Sequence, residues 1–309
     1  MSIAEDDARL AALGLPLNAE MQEGVPLSDA DEAYVRDVIS PRLADAAATM
    51  AALDETSRVR IYRGMITNNR GSPDERLAEA VEAYERCAAF HASTTGVLKG
   101  PAAPGAAKEA ALAAAMNSRV GGLDLYGHQV WAEQLGDIGA VCDHPVTPDE
   151  AKQIRCKVME AVRALQTQSC EARGARRYKQ VYILDLSEIS LGSLLTRSAV
   201  REMTKAIVSG ANDYFPETLW KLFVVNAPFI FRSAYAVVSP IIHPVTKEKI
   251  KVLGGKSAYL KEMEKNGIPA DAVPAFLGGA CPDAALADAI PGLAADGFPR
   301  AAREAAPAG

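Results

Sequence analysis

Gln180-Val-Tyr-Ile-Leu-Asp-Leu186 is a short apolar, β-branched run with a single acid, the composition of a strand covered on both faces of a sheet. The chain then changes period. Leu195, Ala199, Met203, Ile207 and Ala211 recur every fourth residue, so Leu194 to Ala211 reads as one helix, with Pro216 ending the segment. Leu222-Phe-Val-Val225 is the next strand, stopped by Asn226-Ala-Pro228. Phe229 to Ser239 can be helical, because Pro228 suits a first turn and Pro240 closes a last one. Ile250-Lys-Val-Leu253 follows as a further strand, closed by Gly254 and Gly255. Strand, helix, strand, helix, strand predicts two βαβ crossovers, hence an α/β fold with a mainly parallel sheet flanked by helices.

Upstream, Val130 to Leu135 is expected to be the first strand of that sheet. Thr147-Pro-Asp-Glu150 is a capping box with proline in the first turn, and Ala151, Ile154, Val158, Val162 and Leu165 mark a helix running to about Cys170. A basic loop, Arg173 to Lys179, feeds the central strand. Ser72-Pro-Asp-Glu75 is a second capping box, with Leu77, Val81, Tyr84 and Ala88 as its buried stripe. Residues 1–27 lack periodicity and are read as loosely ordered. The expected layout is a helical region and linker over 1–110, the α/β domain over 111–282, and a flexible Ala/Pro/Gly-rich tail over 283–309.

Apolar residues at 49% and charged residues at 23% are those of a soluble globular chain. A formal net charge of −6 argues against nucleic acid as a partner, and against broad electrostatic adhesion to anionic membranes. Any membrane contact is therefore local. Five scattered cysteines without a CxxC, and an acidic N-terminus without an apolar core behind it, are the pattern of a reduced cytoplasmic location. Residues 222–246 hold one charge, Arg232, but Pro228, Pro240 and Pro244 punctuate them, and no membrane span is expected.

Catalytic chemistry finds little support. Gly254-Gly-Lys-Ser257 sits between a strand and a helical segment, yet the position that needs the first glycine of a phosphate-binding loop is Ile250. The four histidines stand at no metal-ligand spacing, and neither a nucleophile elbow nor a paired-carboxylate motif occurs. No enzyme activity, cofactor or metal is expected. Lys247, Lys249 and Lys251 would share one face if extended, either as an edge guard or, with Lys256, as a phosphate contact. Phe229 to Ile242 is apolar nearly all round, so it needs apolar partners on two sides.

Ile183-Leu-Asp-Leu186 with Ile189-Ser-Leu191 resembles the central strand and turn of the CRAL-TRIO lipid-binding family. Tyr214-Phe-Pro-Glu217, Lys221 through Pro228, Pro240 with Pro244-Val-Thr246, Val252-Leu-Gly254 and Phe276-Leu-Gly-Gly279 follow in the family's order, over roughly residues 125–280. The resemblance implies a lipid-sized cavity and a carrier that binds one hydrophobic ligand, a phospholipid. It transfers or presents that ligand through transient, peripheral membrane contact; the rival class is a lipid-sensing adaptor without transfer. The resemblance implies a gate at Phe229, Phe231, Tyr235, Val238 and Ile242, and a pocket wall at Gln180, Tyr182 and Leu184. In phosphatidylinositol carriers of the family the headgroup phosphate meets a basic N-terminal residue, a Glu on the helix after the strand, and a Lys before the gate's closing proline. The matching positions are Arg70, Glu202 and Ser239. With serine in place of lysine, phosphatidylinositol is not the default ligand.

Overall fold

The computed structural model describes residues 2–94, 112, 115–136, 142, 146–189, 196–229, 231, 235–236, 239–242 and 244–286. Six strands form one sheet: β1 (Ser118–Leu123), β2 (Gln129–Gln134), β3 (Gln180–Asp185), β4 (Leu219–Val225), β5 (Ile250–Val252) and β6 (Ala284–Ala285). Their spatial order is β5-β4-β3-β2-β1-β6. Strands β2 to β5 pair in parallel, and the β1 pairings with β2 and β6 are antiparallel. The fold is α/β with a mixed, mainly parallel sheet.

Register and alternation sort the side chains between two layers. Trp131, Tyr182, Leu222 and Ile250 lie side by side across β2 to β5. Their sequence neighbours Val130, Val181, Ile183 and Phe223 point the other way and bury completely against Tyr259, Met263, Ile268 and Leu277. On the first face, Trp131 packs under the long helix Pro148–Arg173, against Cys156, Met159 and Val162. That helix begins where its capping box predicts. Thr147 Oγ1 accepts the Glu150 amide at 3.2 Å, and Glu150 Oε2 accepts the Thr147 amide at 2.8 Å. It stops at Gly174 in the left-handed region (φ +67°). The helix after β3, Ser198–Tyr214, lies beside it. Leu194 and Leu195, expected at its start, are outside the described residues, as is Val238.

Three sequence expectations need correction. Residues 1–27 are not loosely ordered: Ser2 and Glu5 cap a helix, Ile3–Ala12, whose Leu10 is fully buried beside Leu125 and Tyr126. The helix is short and buries one large apolar side chain, so no stripe was legible. Met21 and Leu15 join the same apolar cluster, and polar contacts add to it, Asp6 to Arg173 at 2.8 Å and Asn18 to Arg177 at 3.0 Å. The second correction is β1, which precedes the expected first strand. Its Gly121 and Gly122 hide it by propensity, but a Cβ on Gly121 would lie 2.3 Å from the Ala272 carbonyl oxygen, so the close approach requires glycine. The third is the lysine stripe. Pro244–Glu248 is helical, so Lys247 leaves the strand; Lys249 turns to Glu217 and Lys251 to Glu262. At the other end, Ala284–Ala285 pair with β1 and Leu286 is buried, so order persists past residue 283.

The helix Pro73–Thr94 organises the N-terminal region, with Tyr84 and Ala88 buried against Ile61 and Leu53. Its Ser72–Glu75 box is formed. This region reaches the sheet domain through Arg60, whose Nη1 donates to the Pro216 carbonyl at 2.5 Å, and Arg86, whose Nε donates to the Asp213 carbonyl at 2.9 Å. One contact closes the domain's far end. Gly278 adopts φ +83°, and a Cβ on Gly279 would fall 1.9 Å from the Val273 carbonyl oxygen.

Candidate functional site: an apolar cavity on the inner face of the sheet

A cavity of about 740 Å³ lies between the inner face of the sheet and the helix Ser198–Tyr214. Its floor is the inward alternation of three strands: Trp131 and Glu133 of β2, Gln180, Tyr182 and Leu184 of β3, Leu222 and Val224 of β4. Val200, Ile207 and Ala211 of the helix form one wall. Phe231, Tyr235 and Ile242 form another. Parallel strands normally read as buried on both faces, and here that second burial is against a void rather than a packed layer: Leu184 and Leu222 keep partial exposure while Ile183 and Phe223 behind them have none.

Just before the stretch expected to be the gate stands Pro228, whose carbonyl accepts the Phe231 amide at 2.8 Å. Phe231 and Tyr235 have ring centroids 5.7 Å apart, the contact of residues one helical turn apart, and both are half-buried. Phe229 is fully exposed, more so than any other large apolar side chain among the described residues. The pocket residues Gln180, Tyr182 and Leu184 all line the cavity. Arg70, Glu202 and Ser239 do not. Arg70 is exposed and pairs with Glu248 at 2.8 Å; Glu202 is exposed and pairs with Lys205 at 3.2 Å. Ser239 is half-buried in a short 3-10 turn, and the next residue, Pro240, reaches the cavity.

Two polar clusters at the cavity wall, the first buried and the second half-buried, were not anticipated. In the first, Glu133 Oε1 accepts from Arg155 Nη1 at 2.6 Å and from Ser118 Oγ at 2.9 Å, while the Tyr182 hydroxyl donates to Oε2. Burial works against the charged Arg155, but Glu133 and the Tyr182 hydroxyl outweigh it and hold the guanidinium firmly protonated. Burial and the Glu133 charge push the Tyr182 phenol well above its ordinary value, so it stays a donor. In the second, Glu217 accepts from Lys179 at 3.0 Å, from Lys249 at 3.3 Å and from Asn68 at 3.1 Å. Glu217 itself stands at φ +58°. Burial lowers the Lys249 pKa despite Glu217. The available signal for the first cluster was an acid, Glu133, at an inward position two residues from Trp131.

Just before β2, His128 is fully buried between two carboxylates. Its Nδ1 lies 2.9 Å from Asp124 Oδ2 and its Nε2 lies 2.9 Å from Glu23 Oε1. Burial alone would lower its pKa; Asp124 and Glu23 overcome that and raise it to about 9. Glu23 Oε2 also accepts the Tyr178 and Lys179 amides, each at 2.8 Å. The N-terminal segment is thereby fixed to the entry of β3, and the histidine is structural.

A family model for the CRAL/TRIO domain matches residues 121–279, which runs from β1 through Gly279 and encloses the cavity floor. The chain belongs to the CRAL/TRIO domain family. Curated relatives match about half of the chain. The chain is 32% identical over 162 residues to the Sec14 cytosolic factor of Schizosaccharomyces pombe, covering 51% of this chain and 54% of that protein. It is 31% identical over 162 residues to the phosphatidylinositol/phosphatidylcholine transfer protein SFH7 of Arabidopsis thaliana, covering 52% of this chain and 29% of that one. A SEC14 cytosolic factor of Kluyveromyces lactis is 32% identical over 157 residues, with 50% of each chain covered. The chain thus matches about half the length, or less, of these relatives. Within the CRAL/TRIO region, Asn226-Ala-Pro228 ends β4 with Asn226 at φ +52° and its side chain on Asp185 at 2.8 Å, which ties β4 to β3 at the cavity rim. No helix among the described residues is long and apolar enough to cross a membrane.

Proposed function

We propose that this chain binds one amphiphilic lipid, a phospholipid, in the cavity on the inner sheet face and transfers or presents it at membranes. The observation that carries the reading is the cavity itself: about 740 Å³, walled mainly by aliphatic and aromatic side chains, within the range of roughly 300–1,000 Å³ typical of ligand sites. A void of that size with an apolar lining represents forgone packing unless a ligand fills it. At about 0.8 kcal/mol per buried methylene, two acyl chains of about fifteen carbons cost over roughly 20 kcal/mol to expose to water. A carrier of such cargo must enclose the chains in transit and open only at a bilayer.

The segment from Phe229 to Ile242 is the gate in this reading. Phe231, Tyr235 and Ile242 face the ligand, and fully exposed Phe229 is the group that enters the bilayer surface. The printed names of the relatives, transfer proteins for phosphatidylinositol and phosphatidylcholine among them, support the class of cargo. No chemistry on the ligand is required of any residue in the wall. The test is fluorescent-phospholipid transfer between liposomes: the protein accelerates exchange, and a version with Phe229 and Phe231 both replaced by Asp does not, while Phe229→Asp alone melts as the parent does. Normal transfer by the double variant refutes the gate.

A further inference from the structure

One end of the cavity wall has the construction of a site for a cation. The Trp131 and Tyr182 rings stack at 4.4 Å with planes 15° apart, and Glu133 lies among them as a fully buried carboxylate. Aromatic faces beside a buried carboxylate attract a positive group, and quaternary ammonium ligands are bound this way. Here the chain supplies the positive group itself. The Arg155 guanidinium carbon is 5.0 Å from the Trp131 ring centre and 5.3 Å from that of Tyr182, and its Nη1 is 2.6 Å from Glu133. All four side chains line the cavity.

We propose that Arg155 fills the place a cationic headgroup would take, so that this wall accepts an amphiphile whose headgroup ends in an uncharged, hydroxyl-bearing group and excludes one that ends in a quaternary ammonium. The inference rests on the lipid-binding reading above and narrows it. A second cation beside Arg155 would meet a like charge in a poorly screened interior, with both aromatic faces and the carboxylate already engaged. An oxygen-rich headgroup meets no such opposition. Removing the guanidinium would uncover Glu133, Trp131 and Tyr182 together and turn the wall into a receptor for the cation it now rejects.

The test compares lysophosphatidylcholine with lysophosphatidylglycerol of the same acyl chain by titration calorimetry. The wild-type protein should prefer the glycerol headgroup by about tenfold or more, and Arg155→Met should move the ratio toward choline by about tenfold. Arg155→Lys, which keeps a cation, should keep the wild-type preference. Arg155→Met with Glu133→Gln should lose the gain, since the carboxylate is then gone. Equal or tighter binding of the choline lipid by the wild type overturns the proposal, and that comparison stands even if Arg155→Met fails to fold. An unchanged ratio in a folded Arg155→Met also overturns it. If the wild type binds neither lipid, the lipid-binding reading itself fails.

Discussion

Raising the pH from 6.5 to 9 should weaken this fold through one residue. His128 is buried between Asp124 and Glu23, with its pKa raised from 6.5 to about 9. A group whose folded pKa is raised contributes stability that is complete below the unfolded value and is lost as pH climbs through the folded one. At ~1.4 kcal/mol per pH unit, the interval from 6.5 to about 9 makes the loss roughly 3 kcal/mol, a large share of a typical domain's stability. Glu23 works in the opposite window. Burial would raise its pKa, but His128 and Lys179 overcome this and lower it from 4.5 to about 2, so its contribution is present above 4.5 and fades below. The clamp is therefore complete between about pH 4.5 and 6.5. Urea midpoints measured from pH 6 to 9 should fall for the wild type. Glu23→Gln should be weaker at pH 6 and nearly flat over the same range, because one of the two carboxylates holding the imidazolium charge is gone. Parallel pH slopes for the two proteins would refute the reasoning.

Three further outcomes follow from the packing. Thr147→Ala removes the acceptor for the Glu150 amide and should cost ~1 kcal/mol in thermal or urea unfolding; an unchanged midpoint would mean the cap contributes nothing. Gly279→Ala places a Cβ 1.9 Å from the Val273 carbonyl oxygen, a backbone clash that should cost ~3 kcal/mol or more and show as loss of soluble protein. Replacing Phe229 and Phe231 by Asp should abolish liposome transfer, and Phe229→Asp alone should leave the unfolding free energy within ~0.5 kcal/mol of the parent, since Phe229 is fully exposed.

The centre of the parallel sheet was legible because β3 and β4 carry dense apolar runs, Val181 to Leu184 and Leu222 to Val225, the second closed by Asn226-Ala-Pro228. The long helix was legible from its cap, since a Thr-Pro-Asp-Glu string satisfies early amides locally and needs no tertiary context. What escaped was held by long-range contacts, apolar as well as polar. Leu10 and Glu23 anchor the N-terminal segment through partners more than a hundred residues away, and no local period reports that. Strand β1 was hidden because two glycines serve a close approach to Ala272 rather than strand propensity. The cavity wall divides the same way. Tyr182 and Leu184 share the inward face of β3 by simple alternation, whereas the pairing of Glu133 with Arg155 joins a strand to a helix and looks like two solvated charges in the sequence.

The central claim is that the cavity above β3 and β4 holds a lipid, and native mass spectrometry of the protein purified without detergent tests it most directly. The account predicts one phospholipid-sized adduct per chain, released on denaturation, and its loss when Leu184 and Val224 on the cavity floor are both replaced by Trp to fill the space. A protein that emerges without lipid, takes none up from liposomes, and is unaffected by filling the cavity would contradict it.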